Sequence, residues 1–321
     1  MGMADTVTKE YMRSNKVFAD AFNYLIYDGG QVVKPALLQE LDTTEIAIPF
    51  ALDEKENPAE DVVQKYRDVL KSAVIMQDAE ASYILLGVEN QTEIHYAMPV
   101  RNIIYDALQY GKQVSEVAKR HKSKGDRKGH NKGEYLSGFY KEDRIRPVIT
   151  LVVHFGADEW DGPLSLYDMM DLKNERLLEY VQDYRIFLID PYKLTNEDLE
   201  KFSSSLGDVL GYIKYSKDKK ALSKFLNDNQ VMIMDNDAAR VIRDVTNTPI
   251  YVPDGKGEID MCKAVRDMID ESKQEGMAAG ELNKAKKMAL KMYKKGDSIE
   301  EIAEMAEVSV DQVKEWINSA V

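Results

Sequence analysis

Three polar residues near the ends of two apolar segments have the types and spacing needed for chemistry. Asp68 lies on or beside a strand-like segment, and Glu89 and Gln91 end an apolar run that begins at Ser82. Side chains alternate along a strand, so Glu89 and Gln91 are expected to share one face. Burying a carboxylate is costly unless a cation or hydrogen-bond donors satisfy it. If the two segments form neighbouring strands, Asp68 and Glu89 can meet at one end of a sheet and bind a cation there.

The expected cation is a divalent metal ion. Two carboxylates that lie close together repel each other, and a hard divalent cation relieves that repulsion. Asp68 and Glu89 could therefore hold Mg²⁺, with Mn²⁺ or Ca²⁺ as alternatives. Such an ion can activate water and stabilise charge on a phosphoryl group. Gln91 could orient that water or contact a phosphate, although an amide cannot act as a general base.

A structural interpretation of the same residues is also open. Asp68 could be a surface residue paired with Arg67 or Lys71, and Glu89 and Gln91 could simply end a strand at the solvent boundary. Carboxylates with shifted pKa values in a cleft mark functional sites only in some proteins.

Composition limits the classes of protein that can be considered. The chain has 321 residues, of which 44% are hydrophobic, enough for two domains or for one domain with an appendage. Its net charge of -13 excludes a globally basic nucleic-acid binder, so any contact with DNA must come from local patches. A single cysteine excludes an internal disulfide framework, and no apolar run approaches the roughly 20 residues that span a bilayer. We therefore expect a cytoplasmic protein with no membrane partner.

Strands and helices alternate in the first half of the sequence, which predicts an α/β fold. The segments with strand or helix character are a helix at 15–28, strands around Asp68 and at 82–89, a helix from Pro99, strands at 147–155 and 184–189, and mainly helices from Thr195 to Pro253. Residues 53–60 are acidic, contain Pro58 and predict a loop. The helix from Pro99 shows an apolar stripe that includes Val100, Ile103 and Ile104. Arg101 and Gln109, opposite that stripe, could line a cleft and contact phosphate, with ordinary surface exposure as the alternative.

The segment from Lys119 to Arg146 differs in composition from the rest of the chain. It contains ten Lys or Arg residues against four Asp or Glu residues, together with several glycines. This composition predicts a mobile basic loop, and a solvated disordered loop with no binding role is the alternative. The cations that could neutralise DNA phosphates are Lys119, Arg120, Lys122, Lys124, Arg127 and Lys128.

The C-terminal part predicts a long charged helix followed by two short helices. Ser298 and Glu301 have the spacing of a capping box at the start of this helix pair. The pair resembles a helix-turn-helix unit, which could enter the major groove. Its second helix carries Asp311 and Glu315 against only Lys314, and this negative net charge opposes contact with phosphate. Packing or homo-oligomerisation through these helices is therefore an equal alternative.

An ordered series of motifs along the chain resembles a known family. The layout of Asp68 and Glu89-Asn90-Gln91 resembles the PD-(D/E)XK nuclease superfamily, here with Gln91 in place of the usual lysine. The segments that resemble the narrower Rpn family are 18–23, 85–93, 98–101, 105–110, 147–152 and 160–163. The Rpn family comprises recombination-promoting nucleases, also called putative transposases, and includes the YhgA-like proteins. The resemblance covers roughly residues 15 to 250.

The resemblance implies a metal-dependent DNA endonuclease that promotes recombination or transposition. It implies an αβββαβ core, with a mixed central sheet flanked by helices, in residues 1–255, and a helical extension in residues 256–321. It assigns metal binding to Asp68 and Glu89 and a supporting catalytic role to Gln91, and it makes Asp20 a further acidic candidate. The exchange of lysine for Gln91 leaves the general base unassigned. The alternatives are a catalytically inactive DNA-binding or recombination accessory protein and a helical oligomerisation or interaction protein.

Overall fold

A computed structural model describes most of the chain and divides it into two units. The described residues are 3–41, 44–47, 63–66, 68–77, 80–124, 131–171, 175–229 and 231–319. The first unit comprises Met1–Thr248 and Val252–Asp260, and the second comprises Pro249–Tyr251 and Met261–Val321. The acidic loop predicted for residues 53–60 lies outside the described residues.

The first unit is built on strands and helices that alternate along the chain. Its strands are β1 (Gln39–Glu40), β2 (Thr44–Ala47), β3 (Val63–Tyr66), β4 (Val69–Gln77), β5 (Glu80–Gln91), β6 (Val148–His154), β7 (Phe187–Ile189), β8 (Ile233–Asp235) and β9 (Glu258–Asp260). Its helices are α1 (Met3–Arg13), α2 (Asn15–Tyr27), α3 (Met98–Lys124), α4 (Lys132–Ser137), α5 (Asn196–Glu200), α6 (Leu206–Tyr215), α7 (Lys219–Asn229) and α8 (Asn236–Thr246).

A five-stranded mixed sheet forms the centre of this unit. Its strands lie in the order β1, β4, β5, β6, β7. β4 pairs antiparallel with β1 and β5, whereas β5 and β7 both pair parallel with β6. β5 is therefore an inner strand, and its continuous run Ile84–Leu86 is buried, as expected of a strand covered on both faces. The predicted α/β class with a mixed sheet is confirmed.

Helices cover both faces of the sheet. Lys71 of β4 pairs in register with Leu86 of β5, which is three residues from Glu89, so the side chains of Lys71 and Glu89 point to opposite faces. On one face, the Lys71 ammonium donates to the Arg13 carbonyl and to Asn15 Oδ1, at the junction of α1 and α2. On the other face, α3 supplies the contact with Glu89 that is described below.

The inward side of α3 differs from the prediction. The sequence predicted an apolar stripe through Val100, yet Val100 is 37% exposed and the side chains turned inward include Asn102, Tyr105 and Asp106. The reason is that the sheet face beneath α3 is itself polar, and Thr150 Oγ1 donates to Asp106 Oδ1 at 2.5 Å. A helix over such a face buries its own polar residues, so the apolar periodicity of the sequence indicated the wrong side of α3 as the side that faces the sheet.

The second unit is a group of three helices. They are α9 (Met261–Lys295), α10 (Ile299–Met305) and α11 (Val310–Asn318). Their shared core is formed by Ala289, Ile302, Ala303, Val313, Trp316 and Ile317. Both the predicted long helix and the predicted pair of short helices are present, and Ser298 forms the expected capping box with Glu301.

No helix in the described ranges combines the length and the apolar character that a membrane crossing requires.

The cap at Ser298 provides a stability test for the second unit. Replacement of Ser298 by Ala should reduce the free energy of unfolding by about 1 kcal/mol, because the Glu301 backbone N–H loses its acceptor. Hydrogen bonds from Ser298 also lower the pKa of Glu301. The Glu301 carboxylate therefore stabilises the folded state at pH values above the pKa that it has in the unfolded chain. This stabilisation disappears as the pH falls through the pKa of the folded state. In Ser298→Ala, an NMR titration should show the Glu301 pKa moving up towards its ordinary value.

Thermal unfolding followed by circular dichroism measures the loss of stability. The matched control is Ser272→Ala, an exposed serine within α9 that caps no helix in the described structure, and its stability should be unchanged or slightly higher. Equal stability of Ser298→Ala and the wild type would contradict the capping role.

Candidate active site

The structure brings Asp68 and Glu89 to the same end of the sheet. Val69 pairs with Val88 in the antiparallel register of β4 and β5, so the next position places Asp68 beside Glu89. The backbone N–H of Asn90 donates to Asp68 Oδ2 at 2.9 Å and fixes that carboxylate against the end of β5. β5 therefore supplies one carboxylate, and the residue directly before β4 supplies the other at the same end of the sheet.

Each of the two carboxylates has a cationic side chain next to it. The Glu89 side chain is 0% exposed, and Arg101 Nη2 lies 2.9 Å from its Oε2. Asp68 is 13% exposed, and Lys9 Nζ lies 3.8 Å from its Oδ1. Sequence reasoning placed Arg101 among the DNA contacts and missed Lys9, because α1 meets the sheet only in the folded chain.

Arg101 and Tyr105 form a small network above Glu89. Arg101 Nε donates to the Tyr105 hydroxyl at 3.2 Å. Burial by itself lowers the pKa of Arg101. The nearby groups, chiefly the charge of Glu89, raise this pKa by more than burial lowers it, so the pKa lies above its ordinary value. Burial and the charge of Glu89 raise the pKa of Tyr105. At neutral pH the guanidinium is therefore charged and the tyrosine hydroxyl keeps its proton.

Gln91 lies two residues beyond Glu89 and is largely buried. Its Nε2 donates to the Asn90 carbonyl oxygen at 2.9 Å. Alternation along β5 puts Glu89 and Gln91 on the same face, as the sequence indicated. The amide is thus near the carboxylate pair, with its nitrogen bonded to the adjacent backbone.

Asp20 has a structural role in place of the predicted role as a further site acid. The side chain is 1% exposed and its carboxylate accepts hydrogen bonds from the backbone N–H groups and hydroxyls of Ser203 and Ser204. These contacts join α2 to the segment that precedes α6. A carboxylate engaged by four donors has little capacity left for a metal ion.

Among the predicted DNA-contacting residues, Arg101 is paired with Glu89, and the other seven fall into three groups. Gln109 is 4% exposed and turned towards the sheet, so it is not available to DNA, contrary to the prediction. Arg127 and Lys128 lie outside the described residues. The four that remain exposed on the last turns of α3 are Lys119, Arg120, Lys122 and Lys124.

These four cations belong to an ordered structure and not to the predicted loop. α3 continues to Lys124, and residues 131–146, which include α4, contact its C-terminal part; we call residues 119–124 and 131–146 the basic arm. His121 Nε2 lies 2.9 Å from Asp143 Oδ2, and the His121 ring stacks on Tyr140 at 3.8 Å. Gly138 has a φ of 66°, and a Cβ there would lie 2.8 Å from the Cβ of Ala118. Composition alone does not predict this ordered structure, because the contacts that form it join residues about 20 positions apart.

The donors at the end of the sheet fit a divalent cation. The structure describes no cluster of three or more His, Cys, Asp or Glu side chains suited to a metal in the ranges it covers. Mg²⁺ commonly uses one or two carboxylates and fills its other positions with water, so Asp68 and Glu89 are a sufficient pair of hard oxygen donors. The Arg101 guanidinium against Glu89 shows that positive charge is already stabilised at this position.

The mixed sheet and the carboxylate pair at its end define an α/β protein with a candidate acidic site. A family model described as "Putative transposase, YhgA-like" matches residues 50–238, more than half of the chain. The chain therefore belongs to the YhgA-like putative transposases, which confirms the predicted family and indicates a role related to transposition or recombination. No curated protein and no solved structure matches the chain.

The role of Asp20 can be tested separately from that of the carboxylate pair. Asp20→Ala should reduce the free energy of unfolding by about 3 kcal/mol, because the N–H groups of Ser203 and Ser204 lose a charged acceptor. Urea unfolding followed by circular dichroism measures this loss. The matched control is Asp237→Ala, an exposed acid paired with Arg240, which should change stability by less than about 1 kcal/mol. Wild-type stability of Asp20→Ala would contradict the anchoring role.

Proposed function

We propose that this protein is a metal-dependent DNA endonuclease that hydrolyses phosphodiester bonds and promotes recombination or transposition. The observation that carries the proposal is the position of Asp68, directly before β4, beside Glu89 of the adjacent strand β5 at one end of the sheet. Family membership supports a role in recombination.

The order of the elements supports a PD-(D/E)XK type of core. The chain runs from the helices α1 and α2 through the antiparallel strands β1, β4 and β5 to α3 and then to β6, which is parallel to β5. Apart from the two-stranded sheet of β2 and β3, this is the αβββαβ order that the resemblance implies.

Asp68 and Glu89 would hold the metal ion, with Mg²⁺ as the first expectation and Mn²⁺ or Ca²⁺ as alternatives. When bound, the ion supplies a water of lowered pKa and stabilises charge on the phosphoryl group. The protein fixes Asp68 through the Asn90 N–H and keeps bulk water away from Glu89 beneath α3. These contacts hold the two carboxylates in place before the substrate arrives.

Two further side chains can act directly on the substrate. Gln91, on the face of Glu89, can orient the attacking water through its amide oxygen, while its nitrogen stays bonded to the Asn90 carbonyl. Arg101 carries a permanent positive charge and can stabilise a phosphate through its planar guanidinium. Water then attacks phosphorus in line with the leaving oxygen, the P–O bond to that oxygen breaks, and the proton that the water loses balances the one that the leaving oxygen takes up.

The basic arm is the proposed DNA-contacting surface of an otherwise acidic protein. Its four exposed cations on α3 lie on successive turns, and the His121–Asp143 contact and the His121–Tyr140 stack hold the helix end against residues 131–146. Hydrogen bonds from the Tyr140 N–H and His121 outweigh partial burial and lower the pKa of Asp143, so the carboxylate that holds the arm stays charged at neutral pH. Phosphate binding by such cations carries no sequence information but positions the duplex.

The catalytic proposal is tested with near-isosteric variants of the two acids. Asp68→Asn and Glu89→Gln should each reduce nicking of plasmid DNA in Mg²⁺ or Mn²⁺ by at least about a hundredfold, because each removes one charged ligand. Binding of DNA, measured by fluorescence anisotropy, should persist. The matched control is Asp237→Asn, which changes an exposed acid of α8 and should cleave like the wild type.

The same assays separate the alternatives. Binding of DNA without cleavage by the intact protein in Mg²⁺, Mn²⁺ and Ca²⁺ would indicate a catalytically inactive accessory protein. Absence of both cleavage and binding would indicate an oligomerisation or interaction protein. Full cleavage by both Asp68→Asn and Glu89→Gln would contradict the assignment of these residues.

The basic arm is tested by the salt dependence of binding. Combined Lys119→Ala and Lys122→Ala should weaken binding of duplex DNA and reduce the slope of log K against log salt by about 1.8, because each phosphate contact contributes about 0.9. Anisotropy titrations between low and moderate salt measure the slope. The control with the same change of charge is Lys219→Ala with Lys220→Ala, two exposed residues at the start of α7, which should leave the slope unchanged. Equal slopes for both double variants would contradict the proposed surface.

A further inference from the structure

We infer that Arg101 is an internal counter-ion that occupies Glu89 until a divalent metal ion replaces it, and that the released guanidinium then binds a DNA phosphate. The inference rests on the proposed function and adds an order of events to it. Metal binding and DNA binding would reinforce each other through this one side chain.

Burial explains why Glu89 needs a cation at all times. Its side chain is 0% exposed, and a carboxylate removed from water is unstable unless a positive charge or donors compensate it. Arg101 Nη2, at 2.9 Å from Oε2, supplies that charge directly. A metal ion at the same carboxylate would supply the charge in place of Arg101.

The position of Arg101 allows it to leave without a change in the fold. Its side chain is 29% exposed, so the guanidinium lies between the buried carboxylate and the solvent. Its other contacts are a hydrogen bond of 3.2 Å to the Tyr105 hydroxyl and a position 5.7 Å from the centre of the Tyr105 ring. Rotation about side-chain bonds is sufficient to withdraw it, whereas Glu89 is held in an inner strand.

The balance of charge indicates why the guanidinium should move towards phosphate. Asp68 and Glu89 carry two negative charges, and Lys9 and Arg101 carry two positive charges beside them. A divalent cation would add two further positive charges to a partly buried site. A guanidinium cannot lose its proton at any physiological pH, so it must move away or meet a new anion. Phosphates are the anions that DNA supplies, and Arg binds them in a bidentate manner.

The test measures metal binding in the absence of cleavage. Titration calorimetry with Mn²⁺ and no DNA should give a dissociation constant about tenfold lower for Arg101→Gln than for the wild type, because the competing cation is gone. The same variant should bind DNA more weakly, and Mn²⁺ should no longer strengthen its binding of DNA. The matched control is Arg240→Gln, which breaks an ion pair with Asp237 on α8 and should leave the Mn²⁺ affinity unchanged.

A measurement on the wild type provides a second test that does not depend on the folding of Arg101→Gln. Addition of Ca²⁺, which is diamagnetic, should shift the NMR signal of the Arg101 Nε–H group, assigned by its loss in Arg101→Lys. An unshifted signal at saturating Ca²⁺ would overturn the inference, as would an equal or weaker Mn²⁺ affinity of folded Arg101→Gln.

The results distinguish this inference from the proposed function. Cleavage by the wild type together with an unchanged Mn²⁺ affinity in Arg101→Gln would overturn the inference alone. Tighter Mn²⁺ binding by Arg101→Gln without cleavage by the wild type would support the inference and reject the endonuclease. Failure of both proteins to bind a divalent cation would reject both proposals.

Discussion

The structure of the site depends on one constraint, the burial of the Glu89 carboxylate in an inner strand. β5 is inner because β4 and β6 pair with its two edges, and helices cover both of its faces. A charge in that position must be compensated, and Arg101 does so from α3. The constraint therefore ties the sheet to the helix that covers it, and it places a cation beside the carboxylate pair.

Electrostatic compensation also accounts for the surroundings of the pair. Lys9 approaches Asp68 from α1, and the Asn90 N–H holds the same carboxylate. Charges on α1, α3 and the sheet thus meet at one place, although they are distant in sequence. An acidic protein can in this way keep a site in which the charges are locally balanced.

The sequence predicted those parts of the fold that depend on local pattern. The apolar run that ends at Glu89 identified β5, and the Ser298–Glu301 spacing identified the start of α10. The order of two strand-like segments indicated that Asp68 could lie beside Glu89 if those segments formed neighbouring strands. The family was identified from an ordered series of short motifs, and the family model agrees with it.

The features that prediction missed depend on partners that are distant in sequence. Asp20 accepts hydrogen bonds from Ser203, which lies 183 positions away, so its structural role has no local signal. The polar inward side of α3 exists because a polar sheet face lies beneath it, and periodicity of one segment carries no information about its partner. The order within the basic arm likewise depends on His121 meeting Asp143 across a segment that composition marks as a loop.

The antiparallel register of β4 and β5 also limits how this family can vary. Because side chains alternate with a period of two, a slip of β4 by one residue would turn Asp68 away from Glu89 and move Lys71 from the α1–α2 face to the face beneath α3. Gains or losses of single residues inside this hairpin should therefore be rejected during evolution, while changes in the length of the surface connections should be tolerated. The length of this hairpin in a relative, together with the residue types at the positions of Asp68 and Glu89, would then show whether the carboxylate pair is still in use.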